Sequence, residues 1–167
     1  MKNKYKKRAG FSLMELLVVI GIISILATLG IVFFGSVRYE ARDTKRKADL
    51  SQIGKFLTLS CILPIAGAGE YDLTDLAIEL KVRYPQYDKF MKNVPKDPKT
   101  GTDQQSNYKY IVDSSGNKCA LFANLENKDE PITITDITLP TPGRGTGVLQ
   151  SQSIGFNGTN KFFQYSN

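Results

Sequence analysis

The residues able to do chemistry are few and unevenly placed. There is no His, so the commonest imidazole metal ligand and acid/base group is missing, and His-containing triads, His-zinc sites and His-based proton shuttles are excluded. Glu15 stands one residue ahead of an uncharged run dominated by Leu, Ile, Val and Phe, from Leu16 to Val37. A carboxylate there is costly unless it reaches the interface or finds a cation. Two cysteines, Cys61 and Cys119, can form one bridge or remain two thiols, since their separation in space cannot be read from the sequence. The remaining carboxylates, Asp72, Asp75, Asp97, Asp103 and Asp113, read as caps and turn residues without calcium-loop spacing. Gly143-x-Gly145-x-Gly147 lacks the flanking strand and helix of a nucleotide site and reads as a flexible loop. Asn157-Gly158-Thr159 matches a glycosylation sequon only formally. No cofactor and no metal are expected.

The elements that position these residues follow from charge and hydropathy. Lys2, Lys4, Lys6, Lys7 and Arg8 lie in the first eight residues with no acid among them. Taking those five from the 22 Lys and Arg leaves 17 basic against 16 acidic residues, so the +6 charge describes an N-terminal tag and implies no specific nucleic acid. The 22-residue run from Leu16 to Val37 spans roughly 33 Å as a helix, enough to cross a hydrocarbon core. It exceeds the usual core of a secretory signal, and Ala27-Thr28-Leu29 is a poor small-x-small cleavage site. Arg38, Arg42, Lys45, Arg46 and Lys47 balance the tag, so orientation rests on size: the long C-terminal part translocates and the short N-terminus stays inside.

The string Lys-Lys-Arg-Ala-Gly10, Phe11-Ser12-Leu13-Met14-Glu15, Leu16-Leu17-Val18-Val19-Ile20 resembles the class III signal of type IV pilins and type II secretion pseudopilins. The resemblance implies a cytoplasmic leader of residues 1–10, cleavage between Gly10 and Phe11 by a membrane peptidase that also methylates the new amine, and retention of the apolar segment. It implies that Glu15 pairs with the N-terminal amine of a neighbouring subunit, that the partners are other pilins and an assembly or secretion machine, and that the protein is not an enzyme. Some relatives bind calcium in the head, and many major pilins carry a proline in the apolar segment. Here the first proline is Pro64, so any melting of the segment falls to Gly21, Gly30 and Gly35. Independently of the resemblance, Gly21, Ser24, Thr28 and Gly35 share one helical face, a small-residue stripe suited to close helix packing, although small residues are common in spanning helices.

The expected fold is α+β: a long helix over 11–63, with a membrane part 11–37 and a head-packed part 38–63, against a small antiparallel head over 64–167. Leu50, Ile53, Leu57 and Cys61 form the stripe that faces the head, while Arg42 to Asp49 read as a solvated, salt-bridged face with an Asp43–Lys47 pair. Asp72 caps a short helix with apolar face Leu73, Leu76, Ala77 and Leu80, ending by Tyr84-Pro85. Pro95-Lys96-Asp97-Pro98 is a stiff turn, and Tyr108–Val112 and Lys118–Leu125 form a hairpin around Asp113–Asn117. Ile132–Thr135 reads as a further strand with a break near Asp136, and the tail aromatics either add a closing strand or stay loosely ordered. A pilus subunit, a secretion pseudopilin and a monomeric membrane-tethered domain are the three functions this leaves.

Overall fold

The computed structural model describes residues 10–57, 60–87 and 93–167, with only the backbone of 31–34 and 36. The basic tag and leader residues 1–9 therefore lie outside the described residues. The chain divides into two compact units, one through Arg38 and one from Tyr39 onward.

Helix α1 runs from Leu13 to Leu57. In the first unit its residues Leu13–Gly30 are apolar and long enough to cross a membrane, and their side chains are almost all exposed, Leu16 at 60% and Leu26 at 62%. In the second unit the helix turns Leu50 and Leu57, both fully buried, with partly buried Ile53 and Phe56, onto a sheet. That spacing of three and four is what a core-facing stripe requires.

The helix stops at Leu57, earlier than the expected Leu63. Tyr110 explains the difference, because its hydroxyl both accepts the Ile62 N–H (2.8 Å) and donates to the Ile62 carbonyl (2.9 Å). Both main-chain groups that would enter a helical ladder are thereby taken. Pro64 further disfavours helical backbone at Leu63.

The chain then forms β1 (Gly69–Asp72), α2 (Leu73–Arg83), a 3-10 turn at Pro85–Tyr87, β2 (Lys109–Val112), β3 (Cys119–Asn124), β4 (Gly147–Gln150) and β5 (Lys161–Ser166). Among the described residues these strands make one open antiparallel sheet in the order β1-β2-β3-β5-β4. The fold is α+β with a long N-terminal helix. Asp72 caps α2 through the Thr74 N–H (2.9 Å), and the buried face of α2 is Leu73, Leu76, Ala77 and Leu80. The β2–β3 hairpin pairs Lys109 with Phe122 and Val112 with Cys119. Its turn closes on Asp113, whose Oδ1 accepts the N–H groups of Asn117 and Lys118, with Gly116 at φ +70°.

Alternation along the strands separates two faces. Tyr110, Val112, Leu121, Ala123, Val148, Phe163 and Tyr165 join α1 and α2 in the core. The register puts Lys109, Ile111, Phe122, Asn124 and Phe162 on the other face. The tail does close the sheet, as β5 beside β3. The expected strand at Ile132–Thr135 does not form: the N–H groups of Thr133 and Ile134 both donate to the single Val148 carbonyl (2.8 and 2.9 Å), so two residues oppose one and the ladder cannot propagate. Gly147–Gln150 takes that place in the sheet instead.

Candidate functional site

In the first unit the site is built on the start of α1. Gly10, Phe11 and Ser12 precede the helix, and Phe11 is 83% exposed. The Glu15 N–H donates to Ser12 Oγ (3.2 Å), while Glu15 Oε2 accepts the Ser12 N–H (2.9 Å). The two residues satisfy reciprocally donors that a helix start leaves open, a capping box. Ser12 escaped the sequence reading although Ser-x-x-Glu is the signature of this motif. The cap fixes where the helix begins and leaves the Gly10–Phe11 peptide outside it. A Cβ built on Gly10 meets nothing within 4 Å, so the fold itself makes no demand for glycine there.

Along the same helix, Gly21 and Gly35 are exposed with open space around them. The hydroxyls of Ser24 and Thr28 donate back to the carbonyls of Ile20 and Ile25, both at 2.7 Å. The stripe thus offers small surface and no free hydroxyl proton.

In the second unit the notable chemistry is a buried ion cluster. Arg46, fully buried, places Nε and Nη2 on the Asp97 carboxylate at 2.7 and 2.9 Å, and Nη1 on Asp43 and Glu126 at 2.6 and 2.8 Å. Arg42 grips both Glu126 oxygens at 2.7 Å, and Lys99 Nζ lies 3.2 Å from Glu126 Oε2. Three cations meet three carboxylates, so the cluster is neutral. Asp43 also accepts the N–H groups of Glu126 and Asn127. Asp97 accepts those of Lys99 and Thr100 and the side-chain amide of Asn157.

These partners set the electrostatics. Burial pushes Asp97 up, but the Arg46 fork and the Thr100, Asn157 and Lys99 donors outweigh it and hold the carboxyl well below the usual carboxylate range. Glu126 is likewise raised by burial and lowered more by Arg42, Arg46 and Lys99, to about 2. Arg46 is raised despite its burial. Such a cluster holds elements together and keeps its charges occupied. It offers no group free to move a proton to a ligand.

Several expectations need correction here. The face from Arg42 to Asp49 is not simply solvated, since Asp43 and Arg46 are buried at 2% and 0% exposure. Asp43 pairs with Arg46, while Lys47 pairs with Glu130. Asp97 is a hub and not just a turn residue, and Asn157 of the formal sequon is buried with its amide committed to Asp97 and Asn124. Arg46, Glu126 and Asn157 were not singled out in the sequence because their partners are distant along the chain. The structure joins Cys61 and Cys119 in a disulfide across 58 positions. Among the described residues no three His, Cys, Asp or Glu side chains are grouped to hold a metal ion.

An exposed apolar helix with a capped, glycine-preceded start, followed by an α+β head, defines a membrane-anchored type of chain. Residues 5–31 match the family model described as the prokaryotic N-terminal methylation motif, the prepilin signal of type IV pilins and pseudopilins. The motif supports a type IV pilin-like or pseudopilin protein, a class of structural subunits. Comparison with curated proteins and with solved structures gave no match.

Proposed function

We propose that the chain is a filament subunit made as a prepilin, cut after Gly10, N-methylated at Phe11 and assembled through its N-terminal helix into a type IV pilus. The observation that carries this reading is the methylation motif over residues 5–31, coincident with an uncapped, exposed Gly10–Phe11 junction ahead of an apolar helix. A pseudopilus of a type II secretion system is the second reading, because the same motif serves both.

In this proposal the leader stays in the cytoplasm, α1 anchors the subunit in the cytoplasmic membrane and the head lies outside. A prepilin peptidase and methyltransferase processes the junction, and an assembly machine then transfers the subunit to the filament. Glu15 exchanges the Ser12 N–H for the ammonium of a neighbour's Phe11, which neutralises two charges where neither can be hydrated and favours one axial register. Gly21, Ser24, Thr28 and Gly35 let neighbouring helices approach closely.

The test is the intact mass and N-terminal sequence of the protein from membranes of cells carrying a prepilin peptidase. A chain beginning at Phe11 with one added methyl group is expected. A chain still beginning at Met1, or cut after the apolar run, overturns the proposal and leaves the membrane-tethered domain. Long surface fibres containing the chain favour the pilus over the secretion machine.

A further inference from the structure

The sheet face turned away from α1 carries a cleft of about 310 Å³. Its apolar walls include Ile111, Phe122, Phe156 and Phe162, with Phe122 and Phe162 edge to face at 6.3 Å. Phe156 is 60% exposed, and its ring is steadied by Lys109 Nζ at 5.8 Å from its centroid. Exposed aromatic surface held in one orientation is costly unless something uses it.

Asn107, on the polar wall of this cleft, supplies a second observation. It holds φ at +59°, a region that side chains other than glycine seldom occupy. Its N–H donates to Asp72 (3.1 Å) and its Nδ2 to the Thr100 carbonyl (2.8 Å), but Oδ1 is buried with no hydrogen-bond partner. A buried acceptor left open calls for a donor.

Charge narrows the ligand class. Lys109 lies 3.6 Å from Asp72, and Glu70 stands on the same wall, so the cleft has no cation to spare for an anion or a phosphate chain. A purely apolar ligand would leave Asn107 unsatisfied. A pyranose ring meets both demands: its C–H face packs on the electron-rich face of Phe156, and its rim of hydroxyls supplies the donor.

We propose that this cleft binds a neutral saccharide, stacked on Phe156 and hydrogen-bonded to Asn107. The proposal stands on the cleft in a single chain and does not depend on processing or assembly.

The experiment uses the full chain in detergent, probed with immobilised neutral tetrasaccharides of glucose, galactose and N-acetylglucosamine, and with sulfated counterparts. Retention on at least one neutral probe is expected, weakened about tenfold or more in Phe156→Ala and in Asn107→Gly. Glycine suits the positive φ of position 107, so the second variant keeps the backbone while removing the acceptor. Thermal unfolding of both variants at the wild-type midpoint separates lost binding from lost fold; if Phe156→Ala unfolds early, Asn107→Gly decides alone. No retention on any neutral probe, retention only on the sulfated ones, or binding indifferent to Asn107→Gly overturns the proposal.

Discussion

Arg46 of α1 and Asp97 of the loop before β2, fifty-one positions apart, meet as a two-pronged pair at 2.7 and 2.9 Å with both side chains all but removed from solvent. Neither charge has water to fall back on. Each is tolerable because the other is there, together with the amides that fill the remaining lone pairs of Asp97.

Removing one partner should therefore cost far more than removing an exposed pair. Arg46→Ala leaves Asp97, Asp43 and Glu126 crowded and under-paired, and is expected to lower stability by about 3 to 5 kcal/mol. Arg46→Lys keeps the charge but loses the fork, and should fall between the two. Urea unfolding of the full chain in detergent measures both. A loss within about 1 kcal/mol for Arg46→Ala would show that the cluster contributes little.

The same cluster makes the head sensitive to acid. Glu126 titrates at about 2 in the fold against an ordinary value of 4.5, and Asp97 is also depressed from 3.8. A depressed carboxylate contributes stability that is fully present above its unfolded value and is lost as pH falls through its folded one. Unfolding midpoints should thus be level from neutrality to about pH 5 and decline steeply towards about pH 2. Glu126→Gln should flatten part of that decline, and an unchanged profile would exclude Glu126 as a source.

Packing gives a separate prediction at Gly54, where α1 passes beneath Tyr165 of β5. A Cβ there would lie 2.6 Å from Tyr165 Cγ and 2.8 Å from Cε1. The obstacle is the body of an aromatic ring and not the end of a flexible chain. Gly54→Ala, normally favourable inside a helix, should instead destabilise the head by about 1 to 3 kcal/mol, and Tyr165→Leu in the same chain should recover part of the loss.

The disulfide ties the segment after α1 to the first residue of β3. On the chain-entropy argument, replacing both Cys61 and Cys119 by Ser should cost about 3 to 4 kcal/mol, readable as a lower unfolding midpoint. Reduction of the wild-type protein should reproduce the shift, and a double variant as stable as the parent would refute the argument.

Glu15 serves the cap in the single chain and an intersubunit pair in the proposed filament, and the two can be separated. Glu15→Gln retains a side chain able to complete the box with Ser12, so amide exchange of the first helical turn should stay slow while filament formation fails. Ser12→Ala should do the reverse to the turn, weakening it by about 1 kcal/mol. Equal assembly by Glu15→Gln and wild type would contradict the amine pairing.

The sequence was informative where structure is local. The apolar run, the Asp72 cap and α2 face, and the Asp113 hairpin turn all depend on residues within a few positions of one another, which is the range over which periodicity and turn chemistry operate. The ion cluster depends on Arg46, Asp97, Glu126 and Asn157 being brought together by the fold, and a charged residue on a helix looks the same in sequence whether it meets water or a buried carboxylate. The supposed strand at Ile132–Thr135 failed for a related reason: its alternation is genuine, but strand status depends on the partner's carbonyls, and Val148 offers one where two are needed. Ser12 is the exception, a local signal that was readable and was passed over.

The back-bonded hydroxyls of Ser24 and Thr28 give α1 a further property. With those protons turned inward to their own carbonyls, this stretch of helix presents a neighbour with contour but no polar lettering. Contact along it is a matter of steric fit, indifferent to the identity of the surrounding apolar residues so long as the small positions stay small. Two chains differing widely in their apolar residues could share such a trunk, and discrimination between them would then fall to the surfaces of their heads.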